Sequence, residues 1–492
     1  MKMTRFQTIL KAMLKPVAVV VSGCLCICSS VFAAPDSYVL HNANLIDPYS
    51  QSVISNGWLQ VTGDSIVALG TGAGPASVQR IDLAGAYLLP GLVDAHMHLT
   101  AGPLSVSVEN GAPSISMASQ EDITRFHALA ALASGVTSAF SPAGDPVANQ
   151  AYAANQRAGL WRGPALSYAG LSFEPTPIVG GTVYPLDPQA WRQEIARQKA
   201  LGVSHIKLYQ GLSEAELRQG IALAHEAGLS SIAHLDQVSW QFAVDAGVDA
   251  LTHALLPSAE LLPAEVRAEY QAGIEPGSSQ YLYRWFELVD YDAAPMQKLF
   301  ASLAAQKVRV DLTLLVNEMM YFYPQLAELY PERRWQQHPA IASTWRQNLG
   351  MSVYNWSEQD FARAQAAFPK VLELLVRLHR AGVPLLLGSD SYAGGDWFWR
   401  ELALHQLAGL DNWHILQMVT STAARELKLA NVGRLETGFF ADLVILTTNP
   451  LQDISAVETV ERVIQRGNIY SIAALRKELD VLSTDSITVK QE

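Results

Sequence analysis

The sequence predicts an α/β protein: a (β/α)8 TIM barrel carrying a small β-sandwich domain built from both termini. Three observations carry that expectation. Between about Leu88 and Lys428, apolar strand-like runs alternate with amphipathic helical segments eight times. Short strand-like runs broken by turn residues flank this middle on both sides. The composition, 49% hydrophobic and 16% charged over 492 residues, supplies a large core and excludes a disordered or fibrous chain.

The first element, residues 1–33, reads as a secretory signal peptide rather than as part of the fold. Lys2, Arg5, Lys11 and Lys15 form a basic region without an acid, Pro16 to Phe32 is apolar, and Val31-Phe32-Ala33 offers small residues for cleavage near Ala33/Ala34. Two rivals stay open. One is an uncleaved membrane anchor, for which the apolar run is short. The other is a lipoprotein signal, Val21-Ser22-Gly23-Cys24, which would leave a lipid on Cys24 after an unusually brief apolar run. Cleavage would deliver a periplasmic or secreted chain with no membrane span. Loss of the leader leaves 30 basic against 46 acidic residues and moves the net charge from −12 to −16. A surface of that sign offers no broad attraction to phosphate backbones, so no nucleic-acid partner is expected. All three cysteines, Cys24, Cys26 and Cys28, lie in the leader. The mature chain then has no disulfide and no thiolate ligand, and any metal must be held by His, carboxylate or a modified Lys.

Residues 34–87 and 430–470 supply the two halves of the β domain. Tyr38–Leu40, Trp58–Val61 and Ser65–Leu69 read as strands in the first; Asp442–Leu446 and Arg462–Ile464 read as strands in the second, with turns at Gly438 and Gly467-Asn468. Pieces this short bury little alone, so they should pair. Residues 471–492 form a C-terminal tail. The barrel, residues 88–429, is read from strands near Leu88–His98, Gly135–Phe140, Ala165–Ala169, His205–Tyr209, Ser231–Leu235, Ala250–Ala254, Val308–Leu314 and Pro384–Asp390. Helices are expected near 121–134, 188–201, 213–227, 295–306, 369–381 and 411–427. A doubly wound open sheet is the rival, but no Gly-rich phosphate loop follows the first strand. Two connections, 255–294 and 315–367, are long and aromatic, with Tyr281-Leu-Tyr283-Arg-Trp285-Phe286, Tyr321-Phe322-Tyr323, Trp335, Trp345 and Trp356. Lids or subsite walls, a local mini-core, and a contact within a homo-oligomer are all open for them.

The chemistry gathers at strand ends. His96 and His98 are two apart, so on a strand both imidazoles face the same way and can reach one ion. His234, His253 and Asp390 each close another strand, and a barrel brings such sequence-distant ends to one rim. Four His and one Asp without Cys suit Zn, Mn, Fe or Co. Lys207 ends the fourth strand, where an ordinary ammonium beside a dication would be repelled; it must pair with a carboxylate or lose its charge. Tyr209, on the same face, is a candidate donor to a developing oxyanion in the substrate. His205 shares that face and either orients Lys207 or is a hydrogen-bonded interior imidazole. His127, His225, His379, His405 and His414 fall on helical patterns and read as structural.

Together these motifs resemble the amidohydrolase superfamily, specifically its imidazolonepropionase-like and Xaa-Pro dipeptidase-like branch of metal-dependent hydrolases. The resemblance spans nearly the whole chain after the leader. It rests on Pro90-Gly91-Leu92-Val93-Asp94-Ala95-His96-Met97-His98, Ile206-Lys207, Ala224-His225-Glu226-Ala227-Gly228 leading to His234, and Ala246-Gly247-Val248-Asp249 leading to His253. Gly388-Ser389-Asp390-Ser391 and Gly438-Phe439-Phe440-Ala441-Asp442-Leu443-Val444 complete it. The resemblance implies two divalent metal ions, zinc foremost: one on His96, His98 and Asp390, the other on His234 and His253. An N6-carboxylysine at Lys207 would bridge them. It implies hydrolysis of a C–N bond in a small-molecule amide, dipeptide, N-acyl amino acid or cyclic amide by metal-activated hydroxide, with Asp390 moving the proton. A mononuclear deaminase or imidazolone-type hydrolase, a binuclear esterase or lactonase, and a non-catalytic scaffold remain as alternatives. Gly180-Gly181-Thr182 departs from the family, where many members carry Gly-Gly-His, and leaves substrate contacts of that loop open. Arg284, Arg333, Arg334 and Arg400 could hold a substrate carboxylate but read better as surface arginines.

Overall fold

Strands from both ends of the chain meet in one eight-stranded sheet. The structure, a computed structural model, describes residues 37–109, 112–236, 238–275, 278–330, 338–392 and 394–488. The signal-peptide reading, Cys24, Arg333, Arg334 and Trp335 lie outside the described residues, as does the side chain of Trp345. In that sheet Ser37–Asp47 pairs antiparallel with Ser52–Thr62, which pairs with Ser65–Thr71; Leu443–Leu446 joins from the far end of the sequence and pairs with Val460–Gln465. The sheet curls until Ser65 bridges Phe440, closing a core that includes Tyr38, Leu40, Leu59, Val61, Leu443 and Ile464. Pairing the termini buries apolar faces that neither could cover alone.

The apolar run expected as a single strand over 88–98 is divided at Pro90-Gly91. Tyr87–Pro90 belongs to the terminal sheet, antiparallel to Leu443–Leu446, and only Leu92–Asp94 enters the barrel. Proline cannot donate to a ladder, and Gly91 is required because an added Cβ would lie 2.1 Å from the Thr137 hydroxyl.

The barrel has eight parallel strands at the predicted places: β1 (Leu92–Asp94), β2 (Val136–Ser141), β3 (Ala165–Tyr168), β4 (His205–Leu208), β5 (Ser230–Ala233), β6 (Ala250–Thr252), β7 (Arg309–Asp311) and β8 (Leu385–Leu386). A bridge from Ala169 to His205 joins β3 to β4. The ring closes where Ala95 donates to Leu387, His98 donates to Ser391, and Met97 bridges Ser391. Alternation sorts each strand. In β4, Ile206 and Leu208 pack outward on the helices while His205 and Lys207 point inward. Full burial of a side chain such as Leu208 contributes about 1.5–3 kcal/mol.

Helices start where their caps allow. Ser213 and Glu216 form a capping box for Glu214–Glu226, and Asp187 caps Pro188–Ala200 through the Gln189 and Ala190 N–H groups. The helix expected to begin at Pro369 instead runs Glu358–Arg380, because a Ser357/Asp360 capping box starts it and Pro369 is tolerated inside. The segment expected as one helix over 411–427 is two, Asn412–Met418 and Ser421–Glu426. The C-terminal segment forms the helix Ile472–Thr488, with Ile472, Leu475 and Leu479 buried. Both long connections are helical. They make a local aromatic core, in which Tyr283 and Tyr321 pack on Trp356, and they also wall a cavity above the barrel.

Candidate active site

The barrel brings His96, His98, Lys207, His234, His253 and Asp390 together at its C-terminal rim, at the base of a cavity of about 650 Å³. His96 Nε2 and His98 Nε2 lie 3.2 and 2.9 Å from Asp390 Oδ1, and His253 Nδ1 is 3.7 Å from Oδ2. The His234 and His253 rings are 4.2 Å apart at their centroids, and the His96 and His253 rings 4.9 Å apart. Lys207 is 1% exposed on the inward face of β4, and Tyr209 packs edge-on to His234 at 4.5 Å.

Local backbone geometry sets these positions. His253 and Asp390 both adopt left-handed backbone, with φ of 70° and 51°, as does Thr313 at 43°. Such residues cost free energy and persist where surrounding bonds over-determine them. Here the His253 N–H donates to Asp311 O and the Asp390 N–H to His96 O, each at 2.7 Å. Gly388 is needed because an added Cβ would come within 2.1 Å of His96 Cβ. The buried Asp94 carboxylate accepts from the His96 N–H, the Ser389 N–H and the Ser389 hydroxyl, tying β1 to the end of β8.

Three residues that sequence reasoning left out support the ligand candidates from behind. Asp311 Oδ2 bonds His96 Nδ1 at 2.7 Å, Thr313 Oγ1 bonds His253 Nδ1 at 2.7 Å, and Gln210 Nε2 is 3.1 Å from His234 Nε2. Asp311 was detectable by the signal that marks Asp390, an acid closing an apolar strand. The other two carry no such mark. His205, by contrast, sits one layer nearer the strand N-termini, where Arg309 donates to its Nε2 and Ser204 bonds its Nδ1; it does not orient Lys207. His225 pairs with Asp249 on the outside, and His127, His379, His405 and His414 lie on helices.

Electrostatics follow from burial among like and unlike charges. Burial pulls the Lys207 ammonium down to about 8, opposed by the Asp390 and Asp311 carboxylates. Burial, with Lys207 next for His234 and His234 next for His253, holds these two imidazoles well below the usual histidine range. Burial also pulls on His96, but Asp390 and Asp311 carry it up to about 9. Burial would raise Asp390, yet the imidazoles facing it hold its carboxyl well below the ordinary range.

These donors fit a divalent metal. One ligand atom each from His96, His98 and Asp390 falls within 4.8 Å of the others, and the buried His234 Nδ1 has no hydrogen-bond partner among the described residues. Second partners fix the rings as metal-binding imidazoles require. Arg400 is held bidentate by Glu318, and the Arg284 guanidinium lies over Gly273, so neither reaches the cavity. Gly180, Gly181 and Thr182 do line it, but the Thr182 hydroxyl is spent within its own loop, bonding Ile178 N and Thr176 O.

Residues 318–470 match the amidohydrolase family. The fold is similar to that of a Xaa-Pro dipeptidase with methionine bound in its active site: TM-score 0.64 and 19% identity, covering 88% of this chain and 100% of that one. It is also similar to bottromycin amidohydrolase, with TM-score 0.67 and 18% identity over 92% of both chains. A stretch of 69 residues is 35% identical to an adenine deaminase of Clostridium acetobutylicum, spanning 14% of this chain and only 11% of that relative's length. Residues 318–470 thus match the amidohydrolase family, and the chain as a whole shares its barrel fold with these enzymes.

Proposed function

We propose that the chain is a metal-dependent hydrolase of C–N bonds in small amides, dipeptides, N-acyl amino acids or cyclic amides. The observation that carries this reading is the convergence of four imidazoles, Lys207 and Asp390 at the base of one cavity on a barrel rim. His96, His98 and Asp390 would hold one divalent ion, zinc foremost, and His234 and His253 a second, with a carboxylated Lys207 between them. The buried amine of Lys207, relieved of its proton, would add CO2 and release one proton to become that anionic ligand. When bound, such ions act as Lewis acids that polarise a carbonyl and make water acidic enough to attack it.

Asp390 would do the proton work: its carboxylate takes a proton from the attacking water and returns it to the leaving nitrogen, so that water and amide become acid and amine. Asp311 and Thr313 would keep the His96 and His253 rings turned into the site. Tyr209, whose phenol burial drives far above its ordinary range, keeps its proton and would donate it in a hydrogen bond to the developing oxyanion. The leader reading, with cleavage near Ala33/Ala34, would place this activity in the periplasm or outside the cell; among the described residues no helix is long and apolar enough to cross a membrane.

The test is hydrolysis of a panel of dipeptides, N-acyl amino acids and cyclic amides after reconstitution with zinc or manganese and bicarbonate. Activity that needs metal and bicarbonate supports the reading; none on any amide, with metal bound, refutes it. The adenine deaminase stretch favours one second reading, a one-metal deaminase. Ammonia release from aminopurines with one ion per chain and an unmodified Lys207 would select it.

A further inference from the structure

The cavity walls say more about the substrate than the metal ligands do. Above the ligand cluster the lining is mostly apolar, with Leu104, Leu255, Leu282, Leu315, Met319 and Met320 facing the space. One wall differs. Glu174 follows the short strand Ser172–Phe173, lines the cavity and is 8% exposed. Phe173 is in register with Leu208 and the Tyr209 N–H donates to Phe173 O, so Glu174 stands beside Tyr209, about two rungs, roughly 7 Å, along the strand direction from Lys207. Glu174 and Lys207 line the same cavity, so a substrate whose carbonyl lies at the ligand cluster can turn its other polar end toward Glu174.

A carboxylate buried without a cation is costly, and no described lysine or arginine forms an ion pair with Glu174. Among the described residues no arginine lines the cavity, and its one lysine, Lys207, belongs to the ligand cluster. Asp236 adds negative potential on the same side: after burial, it helps push the Glu174 carboxyl up to about 7. The wall thus holds an acid bonded by the Thr176 hydroxyl, without a lysine or arginine partner among the described residues, facing apolar surfaces, the complement of an apolar molecule with a positive end.

We propose that Glu174 receives the ammonium of the substrate, so that the preferred substrates are apolar α-aminoacyl amides with a free amine. This rests on the hydrolase reading and narrows it: amides whose acyl side bears a carboxylate or a blocked amine are poorer substrates.

The experiment compares three p-nitroanilides with the metal-reconstituted enzyme: leucine, N-acetyl-leucine and N-succinyl-leucine. The expected order in kcat/KM is leucine first by about ten-fold or more, as a charge-assisted hydrogen bond implies, and the succinyl compound last. In Glu174→Gln the leucine-to-acetyl ratio should fall about ten-fold or more, with metal content and thermal midpoint retained. Equal or better cleavage of the acetyl compound by the parent enzyme, or an equal loss on both substrates in the variant, would overturn the proposal. Calorimetric binding of isopentylamine needs no turnover and separates the two readings. Amine binding that disappears in Glu174→Gln supports the ammonium site even if no amide is cleaved, which counts against the hydrolase reading alone. No amine binding by the parent protein counts against the ammonium site.

Discussion

Asp390 faces three imidazoles at once, and that arrangement separates its chemical role from a structural one. Its strand end is held by buried Leu385, Leu386 and Leu387, which remain whichever side chain follows. Asp390→Asn keeps the shape and one metal-capable oxygen but cannot accept and return a proton near neutral pH. kcat should therefore fall by about 10²- to 10⁴-fold with the thermal midpoint nearly unchanged. An equally large loss of stability with normal kcat per folded, metal-loaded molecule would make Asp390 a strand cap. Asp311→Asn tests the layer behind: with the His96 ring no longer held by a carboxylate, metal affinity should fall by about 10- to 100-fold, read by competition with a chelator. Lys207→Ala should remove most activity, and short carboxylic acids should restore part of it; a free ammonium at Lys207 in the active, metal-loaded enzyme would refute the bridging role. The candidate ligands were legible because each closes an apolar strand. Thr313 and Gln210 were not, since their roles arise from turns that only the closed barrel defines.

The turn after β7 is the element on which two of these residues depend. Asp311 and Thr313 flank Leu312, and the helix Leu314–Tyr321 begins at once behind them. Glu401, fully buried on the helix Asp396–Ala408, accepts the Leu314 and Leu315 N–H groups at 2.9 and 2.7 Å and so pins the start of that helix. Glu401→Ala would strand both donors away from water, at about 1–3 kcal/mol for each. The expected result is a lowered thermal midpoint together with weakened metal binding, because the turn carries the partners of both His96 and His253. A lowered midpoint with unchanged metal affinity would show that the clamp serves the fold alone. The strand-helix alternation was legible because apolar runs and caps are local signals. The division at Pro90-Gly91 was hidden because apolar residues continue on both sides of it. The early start at Ser357 was hidden because Pro369 mimics a first-turn proline.

At the scale of the molecule, the terminal sheet and the helical connections do different work. The sheet buries strands from the two terminal segments against each other, and the connections raise largely apolar walls over the rim, above the polar ligand cluster. Their length and aromatic content were visible in the sequence; which cavity they enclose depends on long-range packing that no local pattern records. Under the proposed function this rim would hold two ions joined through Lys207. The most direct measurement is the metal-to-chain ratio, by elemental analysis, of enzyme titrated with zinc and bicarbonate to full amide-hydrolysing activity. Two ions per active chain are expected, with activity lost on chelation; full activity at one ion or fewer per chain would rule out the bridged pair.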